Sequence, residues 1–110
     1  MFEISHPTFS GPLEKLLELI EEKKLPINDV SLAAVTDDFL EYLKTFEQIS
    51  SSLIADFLVV ASRLVLIKSK SLLPELQLTP EEAEHIKELE HRLEWYRQFK
   101  RAEKHLAALW

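Results

Sequence analysis

Between residues 53 and 73, hydrophobic positions recur at the period of an α-helix and cover more of its circumference than one core needs. At about 100° per residue, Leu53, Phe57, Val60, Leu64 and Ile67 share one side, and Ile54, Leu58, Ala61, Val65 and Leu72 widen that arc. This broad face is expected to be the core of the domain. Opposite it run two polar lines, Asp56, Arg63 and Lys70 on one side and Ser62 and Ser69 on the other. Between them lies an apolar row, Val59, Leu66 and Leu73, at heptad spacing beside the small residues Ala55, Ser62 and Ser69. The row predicts a seam that docks a coiled coil, formed by Val59, Ser62, Arg63, Leu66, Ser69, Lys70 and Leu73. A second helix of the same chain lying over the row is the alternative that periodicity leaves open. Burying Val59, Leu66 and Leu73 contributes roughly 1.5–3 kcal/mol each, whereas association costs about 4–15 kcal/mol. A neighbouring helix must therefore add contacts, and residues 31–46 are the segment expected to do so.

The same reading divides the rest of the chain. Phe2, Ile4 and Phe9 alternate with polar residues, the pattern of a short extended arm lying on the domain. Pro12 suits the first turn of a helix, and Leu13, Leu16, Leu17 and Ile20 carry it over 12–24, where Lys23 and Lys24 complement its carboxyl end and Pro26 stops it. Ile27 and Val30 are expected to tuck the connection against the core. Ser31 or Asp29 is a candidate cap for a second helix with the stripe Leu32, Val35, Phe39, Tyr42, Leu43 and Phe46, ending near 44–46. Ser50, Ser51 and Ser52 offer caps for the third helix, and Pro74 ends it. Thr79, Pro80 and Glu82 form a capping-box signature that opens a long helix over 80–109.

That last helix carries two apolar registers. Ile86, Leu89, Leu93 and Tyr96 form one; Trp95, Phe99, Ala102, Leu106 and Leu109 form another on a shifted face. Either the helix bends around one bundle, or its first half packs on the domain and its second half meets something else. The second arrangement is favoured, which makes Trp95, Phe99, Ala102, Leu106 and Leu109 a candidate second partner surface. The predicted fold is all-α: a small bundle of about four helices with a long final helix and a short extended N-terminal arm.

Composition narrows the function. With 110 residues, one glycine and no cysteine, the chain fits a single helical domain without disulfides. A net charge of −6 argues against direct DNA binding, which depends on cations neutralising phosphates. The apolar run 57–67 is too short to span a membrane and contains Arg63. No basic-then-apolar leader pattern opens the chain, so a cytoplasmic location is expected.

Candidate chemistry is sparse. Glu88 and His91 have the Glu-x-x-His spacing of di-iron bundles, but such sites need a second copy and further carboxylates. His6, His85 and His105 have no partner at the spacing of a helical zinc pair, and the serine run lacks a general base. No cofactor, metal or catalytic role is therefore assigned. Glu88 and Arg92 are expected to form an exposed pair along the last helix. Asp37, Asp38 and Glu41 read as a solvated face, with a rim favouring a basic partner as the functional alternative.

The order of motifs resembles a known family. Phe9-Ser10-Gly11-Pro12-Leu13, Leu16-Leu17-Glu18-Leu19-Ile20, Ile27 with Asp29-Val30, Val35-Thr36, Tyr42-Leu43, and Phe57-Leu58-Val59-Val60-Ala61 lead into Ile67-Lys68-Ser69-Lys70-Ser71-Leu72-Leu73-Pro74. This is similar to the amino-terminal domain of the segregation and condensation protein A family, the bacterial and archaeal kleisins, with Glu14 and Phe39 where Asp and Tyr are expected. The resemblance implies a non-enzymatic subunit of an SMC condensin-like complex in chromosome condensation and segregation. In that family the helical domain binds the coiled-coil neck beside an SMC head. A middle segment binds a dimer of segregation and condensation protein B, and a carboxyl-terminal winged helix caps the other head. No winged helix is recognised here, so the resemblance implies a fragment. Residues 1–74 are then the neck-binding domain and 75–110 the start of the middle segment. DNA would be reached only through the complex, on the nucleoid. A self-associating helical module unrelated to SMC proteins is the competing reading.

Overall fold

A computed structural model describes residues 11–46 and 51–109. Four helices follow in order: α1 Pro12–Glu22, α2 Asp29–Leu43, α3 Ser51–Leu72 and α4 Pro80–Leu109. No strand occurs among the described residues. The expected arm around Phe2, Ile4 and Phe9 and the cap at Ser50 lie outside them.

Local chemistry sets each boundary. At the start of α1, Gly11 adopts φ 133°, a conformation side chains resist, and Pro12 takes the first helical position. The helix ends two residues before the expected 24, because Lys24 turns left-handed at φ 55°. Its N–H donates to the Glu21 carbonyl and that of Leu25 to the Ile20 carbonyl, both at 3.0 Å, the paired bonds of a Schellman motif. A lysine there carries the left-handed penalty of about 1–2 kcal/mol. Lys24→Gly should therefore raise the free energy of urea unfolding by about 0.5–1 kcal/mol, the remainder being offset by the freer unfolded chain. No gain would show that the penalty is relieved elsewhere.

The cap of α2 is Asn28, in place of the expected Ser31 or Asp29. Its Oδ1 accepts from the Ser31 N–H at 2.9 Å, so Ser31 is the capped residue and is itself buried. The capping box of α4 forms as the sequence predicts. Thr79 Oγ1 accepts from the Glu82 N–H at 3.1 Å, and Glu82 Oε1 accepts from the Thr79 N–H at 2.9 Å.

The core lies where the four helices converge. Leu16, Leu17, Leu19 and Ile20 of α1 meet Leu32, Val35 and Phe39 of α2, Phe57, Val60, Ala61, Leu64 and Ile67 of α3, and Ile86, Leu89 and Leu93 of α4. Phe57 is its aromatic centre: its ring stacks on Phe39 at 5.7 Å and meets the edge of Phe46 at 4.9 Å. Thr36, fully buried between α2 and α3, satisfies its hydroxyl by donating to the Leu32 carbonyl at 2.7 Å, with that of Leu64 at 3.4 Å.

The core is narrower than the expected arc of α3. Leu53 and Ile54 are half-buried, but Leu58, Val65 and Leu72 stand 55%, 45% and 68% exposed. A bundle this small covers little more than half of an interior helix, so the flank of the arc emerges into solvent. In the connection before α2, Ile27 packs against the core as expected, whereas Val30 falls in the first turn of α2 and is exposed.

α4 is continuous, and its two registers part as anticipated. Ile86, Leu89 and Leu93 are buried and Tyr96 half-buried, while residues 101–109 are exposed without exception. The second half thus leaves the bundle. Within it, Arg97 donates to both carboxylate oxygens of Glu94 at 2.7 Å, and Lys100 pairs with Glu103 at 3.2 Å. Such local pairs support a helix that has little packing beneath it.

Candidate docking surfaces

Two apolar seams remain uncovered, one on α3 and one on α4. On α3 the exposed or half-buried positions Ala55, Leu58, Ser62, Val65, Ser69 and Leu72 follow one another at alternating steps of three and four residues, the spacing of a coiled-coil core. Val59, Leu66 and Leu73 run beside them, with Val59 and Leu73 exposed and Leu66 half-buried against the core. The surface is therefore a trough: Ala55, Ser62 and Ser69 form a small-residue floor, Leu58, Val65 and Leu72 the bank nearer α2, and Val59, Leu66 and Leu73 the other bank. Ser62 returns its hydroxyl to the Val59 carbonyl at 2.8 Å, so the floor can be covered without stranding that donor.

The two basic residues assigned to this seam are engaged within the chain. Arg63 turns toward α4 and meets Glu88 at 3.5 Å. Glu88 thus bridges two helices, where a pair with Arg92 along α4 was expected. Lys70 Nζ donates to the carbonyls of Pro74 at 2.9 Å and Leu76 at 2.6 Å, closing the turn between α3 and α4. Neighbouring lysines likewise hold the acidic rim of α2, Lys68 reaching Asp37 at 2.7 Å and Lys23 reaching Asp38 at 3.3 Å. Exposed pairs of this kind contribute little to stability.

The second surface is the projecting half of α4. Trp95, Phe99, Ala102, Leu106 and Leu109 are all exposed, and the rings of Trp95 and Phe99 stack at 5.6 Å with an interplanar angle of 10°. Solitary exposed hydrophobics need no explanation, whereas a contiguous stripe with stacked aromatics is a candidate contact surface.

Behind this stripe lies a groove of about 950 Å³ between α1 and α4, which periodicity did not reveal. Glu14, Glu18, Glu21 and Glu22 line one wall, and Arg97, Lys100, Arg101 and Lys104 line the other. The signal was present in the sequence as acids on one face of α1 and bases on one face of α4, yet only the fold sets them opposite each other. At the groove's inner end Tyr96 donates its hydroxyl proton to Glu14 Oε1 at 3.0 Å. Burial, and then this bond to a carboxylate, push the phenol from 10.0 up to about 12. Because the folded-state value is raised, the stabilisation from Tyr96 is complete below about pH 10 and disappears as pH climbs through about 12. Urea unfolding of the parent and of Tyr96→Phe should accordingly differ at pH 9 and converge toward pH 12. An unchanging difference would remove the phenol proton from the account.

Burial also raises the Tyr42 phenol, with the Lys15 ammonium 4.3 Å above its ring acting in the opposite direction. Glu88 and His91 are both exposed, and among the described residues no three histidines, cysteines or acids gather as a metal site would require. No described helix is long and apolar enough to cross a membrane.

Fold and surfaces together define a small helical bundle that displays two uncovered apolar seams. The profile described as Segregation and condensation protein ScpA matches residues 19–109, and the chain belongs to that family. Among curated proteins, it is 37% identical over 101 residues to segregation and condensation protein A of Halothermothrix orenii, covering 92% of this chain and 42% of that protein. Identity to the protein of the same name from Macrococcus caseolyticus is 39% over 88 residues, covering 80% and 37%. With that of Myxococcus xanthus it is 38% over 118 aligned positions, covering 96% and 41%. The chain spans about two fifths of the length of these relatives. No solved structure matches it.

Proposed function

We propose that these residues form the docking domain of a non-enzymatic kleisin subunit, which binds the head-proximal coiled-coil neck of an SMC protein in chromosome condensation and segregation. The observation that carries this reading is the α3 trough, uncovered in the folded chain and spaced in heptads. Its small floor lets a helix approach closely, while its two banks give each strand of a two-stranded coiled coil an apolar wall. Membership of the segregation and condensation protein ScpA family supports a chromosome-segregation partner of this kind. The stripe from Trp95 to Leu109 is then the first part of the segment that leads to segregation and condensation protein B. With a net charge of −6, the domain reaches DNA through the complex rather than by its own surface, in the cytoplasm on the nucleoid.

Calorimetric titration of the chain against an SMC head carrying its neck tests the reading. Saturable one-to-one binding is the expected result. No heat from a chain that remains helical would sink it. A mass in light scattering that rises with concentration and ignores added SMC protein would assign the trough to self-association instead.

A further inference from the structure

One depression on the trough is built differently from the rest. Val59, Ser62, Arg63 and Leu66 line a cleft of about 360 Å³, and its remaining wall is Glu82 and His85 from the first turns of α4. The four α3 residues stand at i, i+3, i+4 and i+7, the set that forms the hole for one knob in coiled-coil packing. The other side is closed by this chain's own α4 rather than left to solvent.

Three of the polar side chains around the hole already have partners. The Ser62 hydroxyl donates to the Val59 carbonyl at 2.8 Å, the Arg63 guanidinium meets Glu88 at 3.5 Å, and the Glu82 carboxylate accepts from the Thr79 N–H at 2.9 Å. An apolar group can therefore enter without leaving these three unsatisfied.

We propose that this cleft receives an aliphatic side chain from a core position of the partner's coiled coil, so that one partner strand lies in the groove between α3 and α4 and touches Glu82 and His85. The inference rests on the SMC-neck reading and adds α4 to the docking surface through Glu82 and His85, which the sequence marked only as a helix cap and an isolated histidine. The packing of Ile86 and Leu89 in the core keeps α4 against α3, with the Arg63–Glu88 pair across the same side, which preorganises the hole.

The chain lacks cysteine, so single bimane labels at Val59→Cys, His85→Cys and Lys87→Cys report contact site by site when an SMC head with its neck is added. Lys87 is exposed on α4, about 200° around the helix from His85. The expected result is a saturable blue shift at 59 and 85 and none at 87. Filling the cleft with His85→Trp should also weaken binding at least tenfold while the circular dichroism spectrum holds. A shift at 59 alone, with His85→Trp binding like the parent, overturns the α4 wall and leaves the trough reading standing. Saturable binding with no shift at 59 or 85 overturns both. Shifts that appear without SMC protein as the chain is concentrated assign the cleft to a second copy and overturn the proposal.

Discussion

The double variant Leu58→Glu, Val65→Glu loses SMC-neck binding by a factor of at least 100 in the calorimetric titration, while its melting temperature stays close to that of the parent. Both side chains are about half exposed and lie on one bank, two turns apart. Because about half of each side chain is already covered in the folded chain, removing them from an interface forfeits roughly 0.8–1.5 kcal/mol each, and about 1.5–3 kcal/mol in all corresponds to a loss of some tenfold to 150-fold. Two carboxylates facing an apolar helix add a desolvation cost that only cations on the partner would offset. The folded monomer has little to lose, since surface substitutions of this kind usually change stability by about 0.5 kcal/mol or less. Unaltered affinity in a folded double variant would move the interface off the α3 trough.

The opposite outcome is expected one residue earlier. Phe57→Ala should reduce the free energy of urea unfolding by about 3–5 kcal/mol, the range for deleting a buried aromatic ring. Phe57 is fully buried, and the rings of Phe39, Phe46 and Tyr42 surround it at 5.7, 4.9 and 6.0 Å. Collapse into the cavity is restricted because those rings sit together on the carboxyl end of α2 and the turn that follows it. Domains typically have about 5–15 kcal/mol in total, so the variant is expected to be close to half unfolded at moderate urea concentrations where the parent is intact. A cost below about 1 kcal/mol would mean that the cluster repacks.

Adjacent residues on one helix thus divide between the core and the exposed trough, and this division was only partly readable in the sequence. Periodicity placed Phe57, Val60, Leu64 and Ile67 in the core, and the structure buries all four. It also assigned Leu58, Val65 and Leu72 to the core, because a helical wheel records angles and not how much of the circumference the neighbouring helices cover. The same limit applies to charge. Arg63 and Lys70 occupy the edge of the trough by angle, yet Glu88 and the carbonyls of Pro74 and Leu76 draw their long side chains inward. Local signals fared better where the relevant atoms are close in sequence. Thr79 and Glu82 formed their capping box, and the shift of register at Trp95 and Tyr96 marked where α4 leaves the bundle. The sequence pointed to Asp29 or Ser31 as the α2 cap and passed over Asn28, since all three residue types are good caps and only the backbone decides among them.

The bonds from Lys70 to the carbonyls of Pro74 and Leu76 have a mechanical corollary. They fix the turn that follows α3, and Ile86, Leu89 and Leu93 seat the first half of α4 in the same core as α3, so the trough and the projecting helix are carried by one packed unit. α4 has 30 residues, about 45 Å at 1.5 Å each, so tilting the bundle by about 10° carries the far tip through roughly 8 Å. A change of pose on a coiled coil at one end becomes a displacement large enough to make or break contacts at the other.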